Sequence, residues 1–459
     1  MSEITPKVTV YIVSHNYGAF LEQAIESVLR QRFDDWELIL VDDRSSDNTA
    51  AIMEFYRGAP RVQLLPGEGR GLIPAANAVL RTARGRYLIR LDADDLFDEN
   101  ALLVLANYLD RRPDVAMVFP DYYLIDEKGI AYSNIRKESL AQMDHVQDTA
   151  PHGACTMMRV SVLREIGGYD ETLTAQDGFY VWSRIKDRYK VRNVNLPLFY
   201  YRQHGANLSR DSARITMARQ DIKRIACREM VGCGGLPVAA VIPCRQHYDF
   251  TPAVWREELG GRSLLDIAIA KCLSSSIFDK VAVTADSHDV LPHLDGYSDP
   301  RLVFVERSRE FTLRSRPIAD TLDAVAANLG LPETAVMVLC YPQAPFTTVD
   351  TLEESVNTLL MHDADSAFSA TPVNVPLYRR GPHGMIRLNP SEIAVSDFNT
   401  VYKESREVFA LRVKNLKRGS ITGSKSICFP GPKERQVFID SFEGLVLARS
   451  LAEKYGARR

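Results

Sequence analysis

Two Rossmann-like α/β domains in tandem are what the sequence predicts, and three observations predict them. Runs of β-branched residues alternate with helical apolar periods from Val8 onward. The same alternation restarts at VAAVIPC, residues 238–244. A chain of 459 residues is also too long for one ordinary core and favours two units, each large enough to bury its own interior.

The first strand is VTVYIV (8–13). It ends in SHNYG and leads into FLEQAIESVLRQ, in which Leu21, Ile25, Val28 and Leu29 share one helical face. A second unit follows, with strand WELILVDD (36–43), polar loop RSSDNT and helix AAIMEFYRG, for which Asn48 or Thr49 is the expected cap. RVQLLP supplies a third strand before a helix near Pro74–Thr82, and GRYLIRLDADD (85–95) a fourth that again ends in acid. Such alternation predicts a mostly parallel sheet with helices on both faces, which binds ligands at the carboxyl ends of its strands. The acidic loops sit at those ends.

A basic helical stretch around 212–230 and the glycine-rich GCGG at 232–235 mark the linker. The expected domains are therefore 1–234, with a helical linker over 205–234, and 235–459. The second contains strands VAAVIPC, KVAVTAD (280–286), VMVLCYP (336–342) and SAFSATP (366–372), then a C-terminal helix after Asp440.

Composition narrows the partners. With 56 Lys+Arg against 59 Asp+Glu, no positive field recruits phosphate backbones, which excludes nucleic acid as an expected partner. Seven cysteines (155, 227, 233, 244, 272, 340 and 428) are odd in number and lack CxxC pairing, which points to reduced thiols and away from structural zinc. Residues 1–8 lack a charged-then-apolar signal, and no run approaches the ~18 apolar residues of a membrane span. The expected location is the cytoplasm, with peripheral attachment at the inner membrane as the alternative.

The chemistry lies in three carboxylate groups: Asp42-Asp43 after strand two, Asp92, Asp94 and Asp95 after strand four, and Asp177 in TAQDGFYVW. Single aspartates at such places are ordinary helix starts or solvated loop charges. Bunched at successive strand ends they repel, and a hard divalent cation such as Mg²⁺ or Mn²⁺ relieves the repulsion. It takes one or two protein carboxylates and fills its shell with water and phosphate oxygens.

VTVYIVSHNYGAFLEQAIESVLRQ, ELILVDDRSSDNT, ARGRYLIRLDADD and QDGFYVW together resemble, in order and spacing, the family-2 glycosyltransferases, over about residues 6–210. The resemblance implies a GT-A type fold and an inverting, metal-dependent hexosyltransferase-like enzyme that uses a nucleotide-diphosphate sugar, UDP being the family's common choice. The acceptor it implies is a glycan, lipid-linked or protein hydroxyl. It assigns Asp43 to the nucleobase, Asp92 to the ribose, Asp94 to the metal, Ser14 and Asn16 to the first nucleotide loop, and Asp177 to the catalytic base. Asp177 also reads as the N-cap of the helix GFYVWSRIKD. His204, in YYRQHGANLS, matches a histidine that approaches the metal or diphosphate, and His152 and Gly153 fall on the acceptor side. Ala75-Ala76-Asn77 stands where many relatives carry Ala-Arg-Asn.

The second half, through VAAVIPCR, GGRSLLDIAIAKCLSSSIFDKVAVTAD, VLCYPQAPF, DADSAFSATP and RQVFIDSFEGLVLA, resembles cytidylyltransferases that make CMP-activated nonulosonic acids, of the pseudaminic-acid type. Arg245, Asp286 and Asp440 match nucleotide or metal positions. Where the family follows its arginine with a glycine-rich loop and lysine, this chain reads Gln246-His247-Tyr248-Asp249. The family's closing Asp-x-Asp is reduced to Phe438-Ile439-Asp440. Asp249 puts a negative charge beside a triphosphate, where like charges ~4 Å apart repel by about 4 kcal/mol at an effective dielectric near 20. The expectation is a degenerate cytidylyltransferase-like domain that binds CTP or a CMP-sugar, a sugar or a partner. The alternatives are a bifunctional enzyme that also makes the CMP-sugar, and a non-catalytic interaction protein.

Overall fold

The structure is a computed structural model. It describes residues 5–136, 153–205, 211–228, 230–231, 235–312, 316–373, 375–382, 384–388, 401–431 and 436–456. These form two compact units, one drawn from residues up to Ile222 and one from Lys223 onward. The division falls inside the helix Ser212–Cys227, upstream of the boundary near 235 expected from the glycine-rich segment. Composition marks where backbone regularity ends, whereas contacts divide within the continuous helix.

In the first unit the chain runs β1 (Val8–Ser14), α1 (Gly18–Leu29), β2 (Trp36–Asp42), α2 (Thr49–Phe55), β3 (Val62–Pro66), α3 (Leu72–Thr82), β4 (Tyr87–Arg90), β5 (Leu96–Phe97), α4 (Ala101–Asp110), β6 (Val115–Ile125), β7 (Ala131–Ile135), β8 (Met157–Arg159), α5 (Val160–Glu165), α6 (Asp177–Ile185), β9 (Lys190–Arg202) and α7 (Ser212–Cys227). Strand order is β3-β2-β1-β4-β8-β6-β9-β5, with β7 on β6. The first four strands are parallel, as the alternation requires. The sheet as a whole is mixed rather than mostly parallel, because β8 runs antiparallel to both β4 and β6, and β5 antiparallel to β9. Hydrophobic periodicity identifies a strand without fixing its direction, so the sequence could not supply this.

Chain order reverses at β1, which lies between β2 and β4. A crevice therefore opens at the carboxyl ends of these strands. Their amino ends are locked. Buried Glu37 accepts hydrogen bonds from Thr9 Oγ1 (2.6 Å), Arg84 N (2.8 Å) and Arg84 Nε (2.8 Å), and Thr9 Oγ1 accepts one from Gly85 N (2.9 Å). A Cβ on Gly85 would lie 2.4 Å from Thr9 N, so the strands close together only over a glycine. Val10, Ile12, Leu38, Leu40, Tyr87 and Ile89 pack the core with Leu21, Ile25 and Val28 of α1.

The second unit contains β10 (Val238–Pro243), β11 (Glu258–Leu259), β12 (Arg262–Ser263), α8 (Leu264–Ser274), β13 (Lys280–Ala285), α9 (Leu291–Leu294), β14 (Leu302–Glu306), α10 (Ile318–Asn328), β15 (Val336–Leu339), α11 (Val349–Met361), β16 (Ser366–Pro372), β17 (Tyr378–Gly381), β18 (Gly384–Arg387), β19 (Tyr402–Arg412), β20 (Ser426–Pro430) and α12 (Phe442–Gly456). Its main sheet is ordered β14-β13-β10-β15-β19-β16-β20. Four parallel strands come first, β19 runs antiparallel to β15 and β16, and β20 runs parallel to β16. Strand for strand this is the directional pattern β3-β2-β1-β4-β8-β6-β9 of the first unit. Among the described residues no helix is long and apolar enough to cross a membrane.

Candidate donor and catalytic site

The loops after β1 and β2 are tied into one network. His15 Nδ1 lies 2.9 Å from Asp43 O. Asn16, held at φ 62°, accepts from Ser46 N (2.7 Å) at Oδ1. Asp47 accepts from Gly18 N (2.8 Å) and Thr49 N (3.0 Å), satisfying the amino ends of both α1 and α2. The cap expected of Asn48 or Thr49 thus comes from Asp47, and the Asn48 side chain makes no capping bond. Ser14 is fully buried, its hydroxyl 3.4 Å from that of Thr49. Asp43 accepts from Gly69 N and Gly71 N, each at 2.7 Å. Both glycines sit at positive φ (74° and 93°), the left-handed region that favours glycine, so the sequence GEGRG lets the backbone wrap the carboxylate.

The acidic loop after β4 forms a second network. His204 Nε2 lies 2.8 Å from Asp94 Oδ2, and Tyr17 and Phe20 enclose the imidazole at ring separations of 5.9 and 5.0 Å. Burial and the neighbouring Asp92 push the Asp94 carboxyl up, opposed by His204. Burial and Asp94 push Asp95 well above the usual range. Its Oδ1 accepts from Arg202 N (2.8 Å), while Oδ2 is buried without a hydrogen bond. Arg202, fully buried, donates from Nε to Asp94 O (2.7 Å), from Nη1 to Glu127 O (2.8 Å) and from Nη2 to Gln23 Oε1 (2.8 Å), pinning the loop from behind.

Asp177 is the first helical residue of α6, not its cap. The capping position belongs to Gln176, at φ 64°, whose side chain accepts from Arg219 Nε (3.1 Å). Arg90, the last residue of β4, donates from Nη1 to Asp177 Oδ2 at 2.6 Å. Its Nε lies 2.8 Å from Asp92 Oδ1, off the line a hydrogen bond needs.

The structure thus brings Asp94 to His204 directly and Asp92 to Asp177 through Arg90. Ser14, Asn16 and Asp43 lie in the adjoining network at the ends of β1 and β2. His152 lies outside the described residues. The sequence reading missed Arg90 and Arg202, and it named Asp95 without giving it a role. The signal was an arginine inside the apolar run YLIRL: a buried strand tolerates a charge only beside an opposite one.

Among the described residues, no three His, Cys, Asp or Glu side chains gather closely enough to hold a metal by themselves. A hard cation bound to a nucleotide needs only one or two protein groups, and the Asp94 carboxylate with the His204 imidazole 2.8 Å away supplies such a pair.

In the second unit, Arg245 follows β10 and stacks on Tyr248 at 4.4 Å. Asp286 follows β13 and accepts from Gln246 N (3.1 Å). Asp440 has a side chain that is 62% exposed and 3.4 Å from Arg406 Nη1. Arg307, after β14, donates to Cys244 O, and burial lowers its proton affinity. Buried polar atoms without hydrogen bonds collect at four successive strand ends: Gln246 Oε1, Thr284 Oγ1, Arg307 Nε and Gln343 Oε1.

Residues 9–167 match the model of glycosyl transferase family 2. Similar proteins include EpsE of Bacillus subtilis (28% identical, covering 49% of this chain and 83% of that one) and the chondroitin synthase of Escherichia coli (24%; 44% and 30%). Glycosyltransferase GlyG of Streptococcus pneumoniae is 33% identical over 28% of this chain and 42% of its own. The chain thus spans less than a third of the chondroitin synthase. A solved structure of S. aureus TarS residues 1–349 in complex with UDP-GlcNAc superposes with a TM-score of 0.41 at 18% identity, covering 50% of this chain and 67% of that one. Residues 9–167 are therefore a family-2 glycosyltransferase domain, of GT-A-like α/β fold.

Proposed function

We propose that the first unit transfers a sugar, with inversion, from a nucleotide-diphosphate donor to an acceptor hydroxyl. UDP is the favoured base carrier, and the acceptor is a glycan, a lipid-linked saccharide or a protein. The observation that carries this is the linked set Asp94–His204 and Asp92–Arg90–Asp177 at the crevice where chain order reverses. Asp94 and His204 would hold Mn²⁺ or Mg²⁺, which when bound neutralises charge on the departing diphosphate. Asp43 and Asn16 face the nucleoside side, with Ser14 bracing their loop from beneath. Asp92 takes the ribose. Asp177 Oδ1, which has no hydrogen-bond partner among the described residues, receives the acceptor's proton as that oxygen attacks the anomeric carbon from the face opposite the leaving group.

The test is a panel of UDP-, GDP- and CDP-sugars with Mn²⁺, assayed for nucleoside diphosphate release. Turnover that is lost in Asp94→Asn and in chelator supports the reading. Turnover unchanged in Asp94→Asn sinks it.

A second reading concerns residues 235–459. The unbonded polar atoms of Gln246, Thr284, Arg307 and Gln343, beside Arg245 and Asp286, favour a cytidylyltransferase-like site that binds CTP or a CMP-sugar. Asp249 in the loop and a lone, exposed Asp440 argue against turnover. Calorimetry with CTP and CMP tests binding. Pyrophosphate release from CTP plus a nonulosonic acid would instead make the chain bifunctional. Absence of any nucleotide binding at either unit would leave a pure interaction protein.

A further inference from the structure

We propose that Arg90 is a positioning residue that presents the base to the acceptor by gripping Asp177 through one oxygen and Asp92 on its other edge. The inference rests on Asp177 being the base. Its own support is geometric.

The backbone of Arg90 is fixed on both sides, since Cys155 N donates to Arg90 O (2.9 Å) and the next residue, Leu91, donates to Tyr11 O (3.0 Å). The side chain is 7% exposed and faces both carboxylates, at 2.6 Å from Asp177 and 2.8 Å from Asp92. On one flank stands Gly153, where an added Cβ would lie 2.7 Å from Arg90 Nη2 and 2.9 Å from Asp177 Oδ1. A bare backbone therefore walls the pair, and any side chain there would displace it. On the other flank stand Tyr11 and Tyr169, whose phenols burial pushes up, so that both stay protonated dipoles beside the pair. The titratable and charged groups facing Asp177 are thus Arg90 and Asp92 from the end of β4, Tyr11 from β1 and Tyr169 from the loop after α5.

A planar guanidinium can bond two partners in fixed directions, which an ammonium cannot. Holding Asp177 by a hydrogen bond to Oδ2 leaves Oδ1 to meet the acceptor, while the ion pair with Asp92, 2.8 Å from Nε, keeps the guanidinium from turning away. A base held in one orientation meets the acceptor hydroxyl already in near-attack placement.

Four enzymes decide the matter: wild type, Arg90→Gln, Asp177→Asn and the double variant. They are assayed on whichever nucleotide sugar the wild type turns over with Mn²⁺, water or the acceptor supplying the hydroxyl. Arg90→Gln should lower kcat about 10–100-fold while changing affinity for the nucleoside diphosphate, by calorimetry, less than about 3-fold. Adding Arg90→Gln to Asp177→Asn should cost no further rate, because a residue that acts through another has nothing left to position. Arg90→Lys should restore part of the rate, and it serves in place of Arg90→Gln if that variant does not fold. Additive losses in the double variant would overturn the inference while leaving the base in place. Full activity in Asp177→Asn would instead overturn the reading beneath it.

Discussion

The two units share one sheet pattern and almost nothing at its functional rim. In the first, the ends of β2 and β4 carry Asp43, Asp92, Asp94 and Asp95, with His204 and Arg90 woven among them. In the second, the ends of β10, β13 and β14, the counterparts of β1, β2 and β3, carry Arg245, Gln246, Asp286 and Arg307. Strand order creates the crevice in both. The side chains at its lip differ: carboxylates with a histidine in the first, two arginines with one carboxylate in the second.

The contrast breaks most sharply at Asp177. Asp177→Asn should slow sugar transfer about 10²–10⁴-fold, the usual contribution of a general base, with no change in nucleotide binding by the second unit. A smaller but clear effect is expected at Asp365. Burial pushes this carboxyl up, but Lys414 (2.7 Å), Ser424 (2.8 and 2.6 Å) and the Lys425 amide (3.1 Å) outweigh it and hold it well below the usual range. Its folded proton affinity is lower than its unfolded one. Its stabilisation is therefore complete above the unfolded value and disappears as pH falls through the folded one. Asp365→Asn should cost about 2–3 kcal/mol at pH 7 by urea denaturation, and the gap to wild type should narrow below about pH 4. Arg307→Gln sharpens the comparison from the other side: CMP or CTP binding should weaken about 10–30-fold while sugar transfer is unaffected. Phe55, 82% exposed on α2, is the control. Phe55→Ser should shift stability by less than about 0.5 kcal/mol and leave both activities alone.

β1 to β4 in the first sheet and β10, β13, β15 and β16 in the second were legible because each is a short apolar run flanked by polar residues, whereas β14 was missed. SAFSATP was read to the residue, as β16. β9 was not, since KVRNVNLPLFYYR carries a proline, two asparagines and three charges, and it pairs through shifts in register that no simple alternation encodes. β19 was missed because half of YKESREVFALR faces solvent. At the site, the carboxylates could be named from strand ends, but their partners could not. Arg90 and Arg202 are distant in sequence from Asp177 and Gln23, and only the folded sheet makes them neighbours. The sequence offered a charge in a greasy strand without saying what it answers. Asp177 looked like a cap because an acid before a helix usually is one; the left-handed turn at Gln176 displaces it by one position.

Arg202 carries a consequence for the speed of ligand capture. It ties the acidic loop, the 126–127 turn and α1 together before any ligand arrives, and it sits two residues ahead of His204. The entropy of arranging that side of the crevice is thus settled when the chain folds. Encounter with the proposed ion and diphosphate then requires no ordering of the segments Arg202 ties, and stopped-flow association should show a single phase whose rate falls with added salt rather than a closure step.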